Sequence, residues 1–339
     1  MKVLVAGATG YLGYWVTRLL HERGAEVLAL SRRGTSDYGR GLPGDVTSAW
    51  LGLDPDTIAG ELSDVDVVVS CFGSVDWDMA ANKLVSLHVT GTRNVLDLAV
   101  ALPAVSRVVH VSSILALGRA EGQVGDRTLS VGQTFRNWYE YAKYRSEAIA
   151  REERRIPVAI VRFGALLGPA PDDIVPLTGG PIQALPYLLQ GIPLLLEKAG
   201  RYPVYAGDVA AAAAVVVALA YASDPPAVCT YFDPRLPTLA ELLYELCRPW
   251  NCVPRLVEAP GRVRWLQRII AGRIGLTEST LSYDSPLPYL DPAELNALPA
   301  PAPVERPGYV AETASLLHAA RRPLIRVNSA EWDRGMSKP

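Results

Sequence analysis

The sequence predicts an α/β fold, a doubly wound parallel sheet with a smaller, mostly helical C-terminal lobe, and three observations carry that expectation. An apolar run, Val3 to Ala6, empties into Gly7-Ala8-Thr9-Gly10-Tyr11-Leu12-Gly13, and Tyr14 to Leu20 then repeat at helical spacing until Gly24. Further apolar runs, Ala25–Leu30, Asp66–Gly73, Arg107–Ser113 and Val158–Arg162, alternate with helix-like stretches. Those runs are continuous rather than alternating, as strands covered on both faces require.

Composition narrows the class. With 339 residues, 49% of them hydrophobic, the chain can bury a large core, as one big domain or a large domain with a lobe. A formal net charge of -2 argues against nucleic acid as the main partner. Cys71, Cys229, Cys247 and Cys252 are scattered, Cys247 and Cys252 lack metal-pair spacing, and no histidine lies near them, so reduced thiols in a cytoplasmic protein, with no metal, are expected. The chain opens directly on a strand, without a signal-peptide pattern. Its most apolar stretch, Val209 to Ala222, is shorter than the roughly 20 residues of a membrane span and follows Asp208, a good N-cap, so a buried helix is expected and no membrane span.

In chain order, the glycine loop comes first. A strand breaking into a glycine turn and a helix builds a site for a dinucleotide pyrophosphate, because glycines let backbone N–H groups approach phosphate oxygens. This is the Rossmann-type arrangement. The second strand ends in Ser31-Arg32-Arg33-Gly34, where an acidic residue about 20 residues past the loop would mark NAD. Two guanidiniums there favour the 2'-phosphate of NADP, with NAD the alternative cofactor; the other reading is a solvated arginine pair. Gly34 to Gly44 is turn-rich. Leu84 to Leu102 is an amphipathic helix, and Ser112 and Ser113 close the next long strand at its carboxyl end, where α/β sheets bind ligands.

A helix is expected over Trp138 to Arg155, and Val158 to Arg162 form the strand after it. Past Pro169 prolines multiply. The expected division is a dinucleotide-binding domain over 1–169 with late sheet elements from about 203–233, a substrate lobe over 170–202 and 234–327, and a tail over 328–339. Arg262 to Ile274 reads as a basic amphipathic lid helix, Asp284 to Pro307 as an extended proline-rich surface segment, and Ala311 to Arg321 as a last helix.

Tyr139 and Lys143, four apart, share a helix face, and Tyr139 falls 26 residues after Ser113. A tyrosine near its reference pKa of about 10 is a poor base at neutral pH, and a nearby ammonium brings the phenolate within reach. Tyr139 can then exchange a proton with a substrate hydroxyl or carbonyl while Ser113 holds the same oxygen.

With these residues in hand, the chain resembles the extended short-chain dehydrogenase/reductase family, also called the NAD-dependent epimerase/dehydratase family. Gly7, Gly10 and Gly13 match its loop, Gly44-Asp45-Val46 its adenine turn, and Thr90-Gly91-Thr92-Arg93-Asn94-Val95 its GTxNV helix. Val111-Ser112-Ser113 matches its serine strand, Tyr139 and Lys143 its catalytic pair, and Val204 to Ala210 its late loop-to-helix element. The resemblance implies Ser113 as substrate-orienting, Tyr139 as acid/base and Lys143 as the ribose ligand. It implies cofactor contacts at Gly7, Thr9, Gly10, Tyr11, Leu12, Gly13, Arg32, Arg33, Asp45, Val46, Phe72, Ser112, Tyr139 and Lys143, substrate contacts at Ser74 and Arg201, and a homodimer. His88 stands where the family often has asparagine and reads as packing or a local hydrogen bond. Nucleotide-sugar members usually carry an asparagine where this chain has Phe163-Gly164-Ala165, whereas Arg201 falls where they place a phosphate-binding arginine. The expected activity is an NADP-preferring oxidoreductase acting on a secondary alcohol, ketone or aldehyde of an apolar small molecule. The alternatives are a nucleotide-sugar epimerase or dehydratase retaining NAD, and a non-catalytic dinucleotide sensor.

Overall fold

The computed structural model describes residues 1–77, 79–171, 180–261, 263, 282–300 and 306–319. Its strands are β1 (Lys2–Ala6), β2 (Glu26–Ser31), β3 (Arg40–Pro43), β4 (Val67–Ser70), β5 (Arg107–Ser113), β6 (Val158–Phe163), β7 (Ala165–Leu167), β8 (Leu194–Leu196), β9 (Ala206–Asp208), β10 (Val228–Tyr231) and β11 (Leu256–Glu258). The helices are α1 (Tyr11–Glu22), α2 (Pro55–Glu61), α3 (Ala81–Val85), α4 (Gly91–Ala101), α5 (Trp138–Glu152), α6 (Leu185–Leu189), α7 (Val209–Tyr221), α8 (Leu239–Cys247) and α9 (Tyr309–Ala319).

Seven strands form one sheet in the order β10-β6-β5-β4-β1-β2-β3, each neighbouring pair parallel. The order reverses between β1 and β4, which opens a ligand crevice at their carboxyl ends. Val3, Leu4, Val5 and Ala6 are fully buried, so the continuous apolar run is explained by cover on both faces. α1 and α7 pack on one face, and α4 and α5 on the other. The expected buried helix is α7, capped by the Asp208 carboxylate accepting from the Ala210 N–H at 2.7 Å. Among the described residues no helix is long and apolar enough to cross a membrane.

Two features differ from the sequence expectation. The turn-rich stretch before Gly44 contains a strand, β3, paired with β2 from Leu28↔Arg40 to Ser31↔Pro43. It is short, and its glycine and proline hide it from periodicity; a side chain at Gly41 would strike the Gly34 carbonyl. The helix expected over Leu84 to Leu102 starts earlier, at Ala81, and is interrupted by a π-helical turn, Ser86–Thr90, between α3 and α4.

The chain divides into two compact units, one of Met1–Leu166, Tyr205–Leu236 and Leu287–Pro307, the other of Leu167–Val204, Pro237–Pro286 and Gly308–Pro339. The proline-rich residues 287–307, assigned to the lobe from sequence, are tied to the first unit. The Asn296 amide donates to the Val228 carbonyl at 2.7 Å, the Asp126 carboxylate accepts from the Asn296 N–H at 2.6 Å, and Arg306 pairs with Asp208 at 2.6 Å. In the second unit β8 and β11 pair in parallel, and α8 opens with a Thr238/Glu241 capping box. The expected lid helix over Arg262 to Ile274 and the tail from Asn328 lie outside the described residues, apart from Val263.

Beneath α5 the first unit buries a charged cluster. The Arg162 guanidinium, on β6, donates to the Glu147 carboxylate at 2.8 to 3.1 Å and to the carbonyls of Gly125 and Thr128. Both side chains are fully buried. Breaking one side of such a pair is far more damaging than removing both. Arg162→Met is expected to destabilise by about 3–5 kcal/mol, and adding Glu147→Leu to recover most of that loss in urea denaturation.

Candidate active site

The glycine loop is built from steric necessity. Gly7 has φ of +88°, and a Cβ there would lie 2.6 Å from the Phe72 Cα; one on Gly13 would lie 2.0 Å from the Gly7 carbonyl oxygen. Only bare backbone lets β1, the end of β4 and α1 converge this closely. Gly10 caps α1 without a side-chain acceptor, and the first turn holds no acidic residue, so its N–H groups and the positive end of the helix suit a pyrophosphate. Tyr11 and Leu12 are buried, whereas Thr9 is half-exposed and Gly10 exposed beside them.

Around that loop the structure places the other expected cofactor residues. Arg32 and Arg33 are exposed in the turn after β2, and among the described residues no carboxylate pairs with either. The Asp45 carboxylate accepts from the Thr47 N–H and hydroxyl at 2.9 and 2.8 Å, and the Val46 carbonyl accepts from the Asn94 amide at 2.8 Å. Asn94, on α4, therefore fixes the Gly44-Asp45-Val46 turn, a tie that the motif match alone does not reveal. Phe72 lies against Gly7 and Gly91. These residues fit a dinucleotide.

At the carboxyl end of β5, Ser113 and Tyr139 are brought together, close enough for the Ser113 hydroxyl to draw the tyrosine's pKa down. The Ser113 hydroxyl also lies 3.3 Å from the Phe163 carbonyl and accepts from the Leu115 N–H at 3.1 Å. α5 presents Tyr139 in its first turn because the Asn137 side chain caps the Glu140 N–H at 3.0 Å and the buried Arg136 pairs with Glu140 at 3.1 Å. Burial pushes the Tyr139 hydroxyl up to about 12, against the downward pull of the nearby Ser113 hydroxyl. Lys143 is not among the groups that shift it: its ammonium turns to the Val111 carbonyl, 3.4 Å away. Lys143 itself is buried, which lowers it to about 8, with Cys71 and Glu147 opposing.

Ser112 points to the other face of β5 and donates to the Glu147 carboxylate at 2.6 Å, so its hydroxyl belongs to the buried ion pair. Ser74 follows β4; its backbone N–H and carbonyl lie 3.5 and 3.3 Å from the His88 Nε2, and its hydroxyl accepts from the Asp76 N–H. Arg201 belongs to the second unit, exposed after a turn closed by its N–H to the Lys198 carbonyl. Sequence reasoning missed Trp77. Its buried ring lies 6.4 Å from that of Tyr139, and nothing in the spacing of a loop tryptophan announces that contact.

Residues 40–217, just over half of the chain, match the NAD-binding family described as Male sterility protein. The chain belongs to that family. It is thereby a member of the extended short-chain dehydrogenase/reductase superfamily. A dTDP-6-deoxy-L-talose 4-dehydrogenase (NAD(P)(+)) of Kitasatospora kifunensis is 25% identical over 173 residues, 49% of this chain and 53% of that protein. A carboxylic acid reductase of Neurospora crassa is 27% identical over 198 residues, 50% of this chain and 18% of that protein. The chain thus matches at most about half the length of either relative. Among solved structures, the terminal R domain from the myxalamid PKS-NRPS biosynthetic pathway shares the fold of this family member with a TM-score of 0.75 at 18% identity, over 94% of this chain and 91% of that one.

The depressed Lys143 gives a pH-dependent stability. Its folded value of about 8 lies below the ordinary 10.5, so between those pH values the unfolded chain binds more protons than the folded one. The cost of burying the ammonium is complete below the folded value and is relieved as pH rises through this window. In urea denaturation the wild type is expected to gain stability relative to Lys143→Met from about pH 8 to about 10, and a difference that stays flat would contradict the depressed value.

Proposed function

We propose that this protein is an NADP-preferring oxidoreductase that interconverts a secondary alcohol and a ketone, or reduces an aldehyde, on an apolar small molecule. The observation that supports it most is the buried approach of Ser113 to Tyr139 at the carboxyl end of the sheet, with Lys143 one helical turn away. NADP, when bound, supplies or accepts the hydride at its nicotinamide ring.

The chain's own residues then have separate tasks. The first turn of α1 holds the pyrophosphate, Arg32 and Arg33 the 2'-phosphate, and Asp45, Val46 and Phe72 line the adenine side. Ser113 holds the substrate oxygen in place, Tyr139 moves the proton at that oxygen, and Lys143 binds the nicotinamide ribose. A phenol raised to about 12 by burial is protonated at neutral pH. It suits donation to an oxygen that gains negative charge, which is the reducing direction. Trp77 and the apolar surroundings of Tyr139 favour an apolar carbonyl compound.

A nucleotide-sugar substrate is the second reading, supported by the similarity to the dTDP-sugar dehydrogenase. Against it stands Gly164, where a Cβ would lie 1.8 Å from the Tyr205 carbonyl oxygen, so no asparagine fits at that position.

The test is turnover of NADPH and NADH with a panel of apolar ketones and aldehydes. NADPH is expected to be preferred, with Arg32→Ala/Arg33→Ala weakening NADPH by about 10–100-fold and leaving NADH within about twofold. Tyr139→Phe is expected to lower kcat by about 10²–10⁴-fold with cofactor binding retained. Preference for NADH, or a dTDP- or UDP-sugar that raises Tm, would move the assignment to the second reading. An unchanged rate in Tyr139→Phe would remove the tyrosine from the chemistry.

A further inference from the structure

The first unit carries a buried chain of hydroxyls and imidazoles that the proposed chemistry does not use, and its proton positions can be assigned. The Thr92 hydroxyl donates to the His88 carbonyl at 2.6 Å. The Ser146 hydroxyl, 2.7 Å from Thr92, must then be the donor of that pair. With its proton committed, Ser146 accepts from the His110 Nε2–H at 3.1 Å, which leaves the His110 Nδ1 bare to accept from the Ser70 hydroxyl at 3.2 Å. Every member is buried. The chain runs from β4 through β5 and α5 to α4, and it ends on the backbone of His88 in the π turn.

The His88 ring is where that chain meets the catalytic region. It stands edge-on to the Tyr139 ring, with centroids 5.7 Å apart and planes at 87°. Its Nε2 lies 3.3 Å from the Ser74 carbonyl and 3.5 Å from the Ser74 N–H; as the Nε2–H tautomer it donates to the carbonyl and ties down the loop that brings Trp77 against the same tyrosine. Gly73 is what admits the ring: a Cβ there would lie 2.9 Å from the His88 Cε1 and 3.7 Å from the Lys143 Nζ. Burial also holds His88 well below its ordinary value, and His110 down to about 3, so both are neutral. A neutral imidazole beside an ammonium leaves the lysine charge undivided.

We infer that His88 is a positioning residue: its ring, locked from behind by the Ser70–His110–Ser146–Thr92 chain, fixes the ring of Tyr139 and the Ser74–Trp77 loop on either side of the reacting oxygen. The circuit closes on itself, because Tyr139 and Ser146 belong to the same helix, α5, and Ser146 sets the backbone of the residue that braces Tyr139. Its catalytic consequence rests on the proposed function, whereas the bracket itself does not.

Four variants and two readouts test it. His88→Leu keeps bulk but loses the bond to Ser74, and is expected to lower kcat by about 10–100-fold with the Kd for NADPH within about twofold. His88→Gln, whose amide nitrogen can reach the Ser74 carbonyl, is expected to recover most of that loss. Thr92→Val leaves the ring in place but cuts its lock, and an intermediate kcat is expected; it also serves should His88→Leu fail to fold. Wild-type turnover in His88→Leu, or a His88→Gln as impaired as His88→Leu, overturns the inference. The second readout needs no reaction. With four histidines in the chain, the ring 15N signals can be assigned one by one. His88 and His110 are expected as neutral Nε2–H tautomers, with the His88 signals moving in both Thr92→Val and Tyr139→Leu. If no carbonyl compound is turned over, the proposed function fails while these spectra still decide the bracket; unmoved His88 signals would sink it.

Discussion

The helix that carries Tyr139 and Lys143 is held to the sheet by a carboxylate without access to water. Glu147 sits one turn beyond Lys143, fully buried, and receives Arg162 from β6, Arg151 from its own helix and the Ser112 hydroxyl from β5. Desolvation alone would push this carboxyl up, but the guanidiniums outweigh it and its value stays below the ordinary range. The pair fixes more than stability. Ser112 is tied to Glu147, and the next residue, Ser113, at the carboxyl end of the strand, meets Tyr139 from the start of the same helix. A displaced Glu147 would therefore disturb serine, tyrosine and lysine together.

The same region keeps other charges out of the way of Lys143. Burial raises the Cys71 thiol to about 12 and keeps His88 and His110 uncharged, while Glu147 is compensated by two arginines. The lysine pays for this isolation with a value lowered to about 8. Among the described residues, its ammonium has no carboxylate hydrogen bond, which in the proposed function leaves it for a ribose hydroxyl or a developing phenolate.

How far these features were legible in the sequence depends on their range. The glycine loop, the parallel strands and the buried helix after Asp208 are local patterns, and each reads directly because burial on both faces or a capping residue leaves its mark within a few positions. Ser113, Tyr139 and Lys143 were legible as a spacing. β3 was not, since four residues including a glycine and a proline become a strand only by pairing with β2. Nor was the bracket around Tyr139: apart from the i, i+4 bond of Thr92 to the His88 carbonyl, Trp77, His88, Ser146 and His110 lie on separate segments that nothing local relates. The attachment of residues 287–307 to the first unit was hidden for the same reason, because Asp126 and Val228, which hold Asn296, are distant in sequence.

Local and long-range features also divide the functional question. The phosphate site comes from the fold, since Gly7 and Gly13 are required for β1, β4 and α1 to meet at all. In the proposed function, discrimination between dinucleotides falls instead to Arg32 and Arg33, exposed side chains outside that packing, which can change without cost to the core. In the same proposal the direction of the chemistry rests on a third level, the burial of Tyr139 against Trp77 and His88, which raises its pKa and keeps the phenol protonated at neutral pH. If Tyr139 is the acid, as proposed, its shift favours apolar substrates, because a polar ligand would bring water to the hydroxyl and erase the shift.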